Sequence, residues 1–232
     1  NFNNSSLVTV SSGELHVGHT NASSSTSSGN YVVNTGAILG VSGTNAMNGT
    51  FTGAGGFECH TGGATTINNT YSLTGPLTVG GSCDLTFNVD VAFGDDANFI
   101  GGTTHFTTVP MSIAGNVTMS GGGTLDTPVY VPVTGGWKQI GGTLDGSGTV
   151  TITGLLDWRG GTQHGGGTTV ANGGMSSGPS GSYKILNTRT LTINGDSTIS
   201  GSLQLRLYNG ATINNYGTFD FDTDRDISHT GG

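Results

Sequence analysis

A five-residue pattern, Gly-Gly-Thr-x-Asp/His, occurs four times in the middle of this chain and constrains its fold more than any other feature. The four copies begin at Gly101, Gly122, Gly141 and Gly160, so they recur with a period of about 20 residues. Such a period is too short for the blade of a β-propeller, which needs about 40 residues, and it matches one coil of a parallel β-solenoid. We therefore expect the chain to coil repeatedly around one axis.

Short segments along the chain alternate small or polar residues with apolar ones, which is typical of strands that bury one face. The clearest of them are residues 6–10, 149–153, 190–193, 202–207 and 218–221. With coils of about 19–24 residues, the 232 residues predict an all-β, single-stranded parallel β-helix of about 10–11 coils. We expect one domain over residues 1–232, a right-handed coil and a length of about 50 Å.

The composition agrees with a thin-cored β protein. The chain contains 44 Gly, 37 Thr, 23 Ser and 19 Asn, which together exceed half of its residues. These residues are poor helix formers, so a typical helical protein is excluded. Gly and Asn suit corners that need a positive φ, and a narrow coil requires few large apolar side chains. The five prolines and the charged fraction of 9% are too low for a typical disordered chain.

The net charge and the hydropathy of the chain argue against a nucleic-acid partner and against a membrane-spanning segment. The chain carries 14 acidic and 6 basic residues, for a net charge of −8, so we expect no nucleic-acid partner. We also expect no membrane span, because no apolar stretch approaches about 18 residues. The sequence starts at Asn1 and ends at Gly232, from which we expect an excerpt or subunit of a longer fibre. Residues 20–29 and 172–182 are predicted to be loops outside the coil.

Four segments of the chain carry a resemblance to known repeats: residues 142–154, 156–162, 189–193 and 214–220. They resemble the repeats of large extracellular microbial surface proteins and filamentous-haemagglutinin-type adhesins. The resemblance implies a parallel β-helix used as a stalk or fibre at the cell surface, and it carries no catalytic residues with it. We therefore expect a structural extracellular protein and no enzyme. Its expected partners are copies of itself or further repeats of the same chain, stacked end to end, and surface glycans.

The last residues of the four repeats form a candidate site. His105, Asp126, Asp145 and His164 occupy equivalent positions of successive coils, so their side chains would stack about 4.8 Å apart. Leu144 in the core would direct Asp145 to solvent. The column is either a polar outer ladder or a site in which imidazoles and carboxylates share a divalent cation. We favour the polar ladder, because one column of side chains seldom completes a coordination shell.

A second acidic column lies near the end of the chain. Asp220, Asp222, Asp224 and Asp226 alternate with other residues, which places their carboxylates on one face of an extended strand. Ca²⁺ is the cofactor that this column would suit, although the segment lacks the motifs of known calcium loops. A solvated strand edge is the alternative that we favour. Asp95 and Asp96 are interpreted as turn formers rather than as a hydrolase pair.

The two cysteines and two tryptophans have roles that the sequence leaves open. Cys59 and Cys83 lie about one coil apart, so they can form a disulfide or remain buried thiols, and we favour the disulfide. Trp137 and Trp158 either form an exposed platform for sugar rings or pack in the core. An exposed platform would favour the alternative function, a carbohydrate-binding or polysaccharide-degrading module. A surface that binds ice would need a sustained Thr column, which the sequence lacks.

Overall fold

The computed structural model describes residues 2–18, 24–108, 111–179, 182–201, 203–222 and 226–230. All helices and strands assigned in these ranges are β-strands, with no helix among them, and the strands form three parallel sheets. Consecutive strands of the chain enter sheets A, B and C in turn, so each strand pairs with the strands three places before and after it. No helix that could cross a membrane is found in the described ranges.

Each sheet contains eleven described strands, which we number in chain order from β1 to β33. Sheet A consists of β1 (Val8–Val10), β4 (Tyr31–Val33), β7 (Phe51–Gly53), β10 (Tyr71–Leu73), β13 (Val91–Phe93), β16 (Met111–Ile113), β19 (Val131–Val133), β22 (Thr149–Ile152), β25 (Thr168–Ala171), β28 (Thr190–Ile193) and β31 (Thr212–Asn215). Sheet B consists of β2 (Glu14–Val17), β5 (Ile38–Val41), β8 (Gly56–Cys59), β11 (Leu77–Val79), β14 (Ala97–Phe99), β17 (Val117–Met119), β20 (Trp137–Gln139), β23 (Leu156–Trp158), β26 (Met175–Ser177), β29 (Ser197–Ser200) and β32 (Phe219–Asp222). Sheet C consists of β3 (Ser24–Ser27), β6 (Thr44–Met47), β9 (Gly63–Ile67), β12 (Cys83–Phe87), β15 (Thr103–Phe106), β18 (Thr124–Asp126), β21 (Thr143–Asp145), β24 (Gly161–Gln163), β27 (Lys184–Asn187), β30 (Leu205–Tyr208) and β33 (Ile227–Thr230).

The strand register confirms the predicted parallel β-solenoid. Most coils keep close to the predicted period, as in sheet A, where Tyr31 pairs with Phe51 and Phe51 pairs with Tyr71. Sheet B departs furthest from this period near its start. The coil from Leu15 to its partner Leu39 is longer, and the next coil, from Leu39 to its partner Phe57, is shorter than the predicted range allows. The expected right hand of the coil stays a prediction.

The core fills the inside of the coil with alternate residues of each strand. In the N-terminal half they include aromatic and aliphatic side chains, and the rings of Tyr31 and Phe51 stack with their centroids 5.2 Å apart. Further along the axis Trp137 and Trp158 fill the interior, and aliphatic side chains such as Leu191 take over beyond them. Parallel pairing stacks these inward residues in columns along the axis, and buried polar residues such as Gln139 and Gln163 interrupt the apolar columns.

The corners are stabilised by side-chain amides and by glycine. Asn68 donates an amide hydrogen bond to Asn48 Oδ1 at 2.9 Å, and Asn88 donates one to Asn68 Oδ1 at 2.8 Å. These three residues form an asparagine ladder on the outside of three successive coils. At the turn after β21, Gly146 has a φ of 98°, a conformation that a side chain would strain.

Two predicted loops contain strands. Residues 24–27, which carry no large apolar side chain, form β3, and Met175–Ser177 form β26. The neighbouring coil supplies the hydrogen-bonding partners of both strands, since β3 pairs with β6 and β26 pairs with β23 and β29. The loop predictions were therefore wrong for these residues, because a template strand outweighs weak local propensity. Residues 20–23, 180 and 181 of the predicted loops lie outside the described ranges.

Candidate functional site

The structure stacks the predicted column His105, Asp126, Asp145 and His164 on the outer face of sheet C. Register pairs His105 with Asp126 and Asp126 with Asp145, and His164 follows β24 in the next coil. His105 Nδ1 lies 2.9 Å from Asp126 Oδ2, and His164 Nδ1 lies 2.8 Å from Asp145 Oδ1. The column is therefore two His–Asp pairs, both half-exposed to solvent.

This column does not bring three ligands together. In the described part of the chain, three ligand atoms of His, Cys, Asp or Glu lie within 4.8 Å of one another only at Glu14, His16 and His60. His105 has a second contact, with its Nε2 atom 3.4 Å from Asp84 Oδ1, but the two carboxylates lie on opposite sides of its ring. The geometry matches a polar outer ladder better than a shared cation.

Asp145 is the most strongly engaged carboxylate of the ladder. Partial burial of Asp145 would raise its pKa, but the Gly146 amide, the His164 ring and the charges of His164 and Arg189 outweigh burial and lower the pKa. The Gly146 amide donates to Asp145 Oδ1 at 2.6 Å. Asp145 is therefore ionised throughout the neutral range, and it ties the outer ladder to the corner that follows β21.

The second acidic column is only partly described. Asp220 and Asp222 lie on β32 with exposed side chains on the outer face, and Phe219 and Phe221 alternate with them. Asp226 is exposed before β33, and Asp224 lies outside the described residues. Within the described residues these aspartates form no three-ligand cluster. Their arrangement is that of a solvated strand edge, and whether they bind Ca²⁺ stays a prediction.

The structure joins Cys59 and Cys83 by a disulfide, with their Cα atoms 5.9 Å apart. Cys59 ends β8 in sheet B, whereas Cys83 begins β12 in sheet C of the next coil. The bond therefore crosses the corner between two sheets as well as the gap between two coils. That geometry explains why the sequence separation of the cysteines, 24, exceeds the pairing step from Cys59 to Val79.

Both tryptophans are buried, so the open alternative of an exposed sugar platform is wrong. They also belong to different columns, because Trp137 pairs with Leu156 and Trp158 pairs with Gln139. The Trp158 ring Nε1 donates to the carbonyl of Gly160 at 3.1 Å, within the same corner. The two tryptophans lie further apart in the sequence than the length of the local coil, which runs from Trp137 to its partner Leu156. Their side chains therefore lie at different positions along their strands.

The pair Asp95 and Asp96 has a turn-forming role, as expected. The Asp96 amide donates to Asp95 Oδ1 at 2.8 Å, within the corner between β13 and β14. Asp96 Oδ1 in turn accepts the backbone amide of Asn116 at 2.7 Å, so that it supports the same corner of the next coil. Both aspartates therefore act on the backbone of the corners.

Sequence reasoning missed a cluster on the outer face of sheet B. Glu14 and His16 lie on β2, Glu58 lies on β8, and His60 follows directly after β8. Glu14 Oε1 lies 3.0 Å from His60 Nε2 and 3.3 Å from His16 Nδ1, and Glu58 Oε2 lies 3.3 Å from His60 Nε2. The cluster combines two imidazoles with two carboxylates in one small volume.

A signal for this cluster exists in the sequence. The chain contains two glutamates, and each of them stands two residues before a histidine, in Glu14-Leu15-His16 and Glu58-Cys59-His60. Residues two apart in a strand face the same side, so each Glu-x-His segment presents both groups outward. The unequal lengths of the intervening coils hide the fact that the two segments stack.

Sequence reasoning also missed a buried cation. Arg189 is fully buried, and burial lowers its pKa to about 10, an effect that the charge of Asp145 opposes. Its guanidinium donates to the carbonyls of Gly146, Gly148, His164 and Thr168 at 3.1–3.2 Å, while Nε donates to Thr169 Oγ1 at 2.9 Å. One side chain therefore holds the corners of the two preceding coils.

Comparisons with known proteins found no matching protein family, no similar curated protein and no similar solved structure.

Proposed function

We propose that this chain is a structural, non-enzymatic rod of an extracellular fibre, stalk or adhesin, extended by end-to-end stacking or by further coils. One observation carries the proposal: the last described coil leaves its core side chains open. Ile199 and Leu205 are 2% exposed in the coil before it, whereas their stacking partners Phe221 and Ile227 are each 39% exposed. An uncovered apolar end of this kind favours contact with another coil.

The backbone at this end supports the same proposal. In the described ranges β31, β32 and β33 each pair with one strand, so their outer edges present unpaired amides and carbonyls. Unpaired parallel edges are templates for further strands. At the opposite end β1 and β2 likewise pair on one side, and Leu7 is exposed. Stacking these unlike ends head to tail would produce an open filament rather than a closed ring.

The sides of the rod favour solubility. Outward positions carry the His–Asp ladder on sheet C and the Asp220 and Asp222 carboxylates on sheet B, and the net charge is −8. Like-charged rods repel side by side, so association is directed to the ends. The disulfide between Cys59 and Cys83 supports an oxidising, extracellular setting.

The alternative function, a carbohydrate-binding or polysaccharide-degrading module, gains no observation in its favour, because both tryptophans are buried. Glycan contact by an adhesin would have to use other exposed groups.

The proposal is tested by light scattering of the purified chain over a range of concentrations. We expect the mean mass to rise with concentration for the wild type. Phe221→Lys places a charge on the open end and should keep the chain monomeric. Ile140→Lys changes an exposed apolar residue on the side of the rod, and this control should associate like the wild type. A wild type that stays monomeric at every concentration, or an equal loss in both variants, would contradict end-to-end stacking.

A further inference from the structure

We propose that Glu14, His16 and His60, supported by Glu58, bind a divalent transition metal of the Zn²⁺ type on the outer face of sheet B. The site spans the first three coils and is independent of the proposed rod function. It differs from the predicted columns, because it brings three ligand atoms within 4.8 Å of one another.

The spacing of the ligand atoms fits such an ion. Zn²⁺ binds His nitrogen and carboxylate oxygen at about 2.0–2.2 Å in a tetrahedron, which separates the ligand atoms by about 3.3 Å. Glu14 Oε1 lies 3.0 Å from His60 Nε2 and 3.3 Å from His16 Nδ1, and all three atoms lie within 4.8 Å of one another. Only small side-chain movements would therefore bring them around one ion.

A second contact orients His16 as a ligand. Its Nε2 atom lies 2.9 Å from the hydroxyl of Ser42, which is buried at the corner after β5. Metal-binding histidines usually donate their second ring N–H to a fixed acceptor, which sets the tautomer and leaves the other nitrogen free. The Ser42 contact leaves His16 Nδ1 on the side of Glu14 and His60.

The surface has a gap at the centre of the cluster. Gly40 pairs with His16 on one side and with Glu58 on the other, so it lies in the strand between the two Glu-x-His segments. A Cβ atom at Gly40 would collide with Glu14 Oε1 and lie 3.1 Å from His60 Nε2. The His16 and His60 rings stack across this gap, with their centroids 4.8 Å apart. Gly40 has no positive φ, so side-chain clearance explains the glycine here.

The donor set selects the class of ion. Two imidazoles with carboxylates suit Zn²⁺ and similar transition metals, whereas Ca²⁺ prefers six to eight oxygen ligands. The four side chains are 27–43% exposed, so an ion can enter from solvent and a water molecule can complete its shell. A bound ion would link β2 to β8, two strands that do not pair with each other directly.

The test is Zn²⁺ titration of chelator-treated protein against a chromogenic competitor, with Co²⁺ absorption as a readout of four-coordinate geometry. We expect one ion per chain and a higher melting temperature with Zn²⁺. His60→Gln and Glu14→Gln should each weaken binding by more than about 100-fold, and Ser42→Ala by about 10–100-fold. His105→Gln, which alters a His–Asp pair of the sheet C ladder, is the matched control and should bind like the wild type.

Absence of stoichiometric Zn²⁺ binding would overturn the proposal. An equal loss in His60→Gln and His105→Gln would also overturn it, because binding would then be spread over surface histidines. Circular dichroism shows whether each variant folds. If a histidine variant does not fold, Glu14→Gln, which alters an exposed side chain, still tests the site.

Discussion

At the scale of single residues, the Arg189 side chain has the largest expected effect on stability, and no sequence pattern predicts its role. Arg189 puts a positive charge inside the coil and satisfies it with backbone carbonyls of two preceding coils. A buried polar group is tolerated only when its hydrogen bonds are made, and here all five donors of the guanidinium are used. The sequence shows a lone arginine in a Thr-rich segment, and only the stacking of corners reveals its partners.

Arg189→Ala should destabilise the fold strongly. The substitution leaves a cavity and removes the donors to four carbonyls, each of which costs about 1–3 kcal/mol if it stays unpaired. Part of that cost is recovered by water, and we expect a loss of about 3 kcal/mol or more, measured by urea unfolding at neutral pH. Arg159→Ala, which removes an exposed partner of Asp157, serves as the control and should shift the midpoint much less. Equal shifts in both variants would contradict the structural role of Arg189.

Asp145 should contribute to acid sensitivity. Its pKa is lowered in the folded protein, so it favours folding above its unfolded pKa of about 3.9, and this contribution is lost as pH falls through the folded pKa. Asp145→Asn should therefore show a smaller loss of stability between neutral pH and about pH 3 than the wild type. The difference should stay below about 1 kcal/mol, because the carboxylate is 38% exposed and screened by solvent.

Urea unfolding at both pH values measures this difference, with Asp220→Asn on the exposed face of β32 as the control. If Asp145→Asn and Asp220→Asn both lost as much stability as the wild type on acidification, the interactions of Asp145 with His164 and Gly146 would not contribute to the free energy of unfolding.

At the scale of strands, the neighbouring coil matters more than local propensity. The predicted strand at residues 190–193 agrees with β28, because Thr190–Ile193 alternates clearly and pairs in register. Of the predicted strand at 202–207, residue 202 lies outside the described residues, and β30 covers Leu205–Tyr208. β3 has only Ser and Thr, so no hydrophobic alternation marks it, and its pairing with β6 determines its structure. Strands of this kind cannot be located without knowing which residues stack on them.

The disulfide between Cys59 and Cys83 joins two strands that belong to different sheets. Closing a segment of this length restricts the unfolded chain, and we expect reduction or Cys59→Ala with Cys83→Ala to cost about 3 kcal/mol. Urea unfolding with and without a thiol reductant measures the effect. The double variant must be insensitive to the reductant. A wild type with the same midpoint under both conditions would show that the bond does not stabilise the fold.

At the scale of the whole molecule, the repeat period was sufficient to predict the architecture but not every site. The sheet C ladder was predictable because His105, Asp126 and Asp145 keep one phase of the Gly-Gly-Thr repeat. The Glu14–His60 cluster was missed because it precedes the first copy of that repeat, and the two coils that separate its strands differ in length. The orientation of the Trp137 and Trp158 side chains could not be predicted either, since their spacing in the sequence does not fix the position of a side chain along a strand.

The shape follows from stacking alone. Eleven described strands in each sheet, about 4.8 Å apart, give a rod about 50 Å long. The sides carry the polar His–Asp ladder together with exposed apolar residues such as Ile140, and the last described coil exposes the inward side chains of Phe221 and Ile227. We propose that such a rod grows along its axis by end-to-end contact.

Cryo-electron microscopy of the purified chain at increasing concentration tests that claim most directly. End-to-end growth predicts filaments many times longer than about 50 Å, with a spacing of about 4.8 Å along the axis. Rods that remain about 50 Å long at every concentration would contradict it.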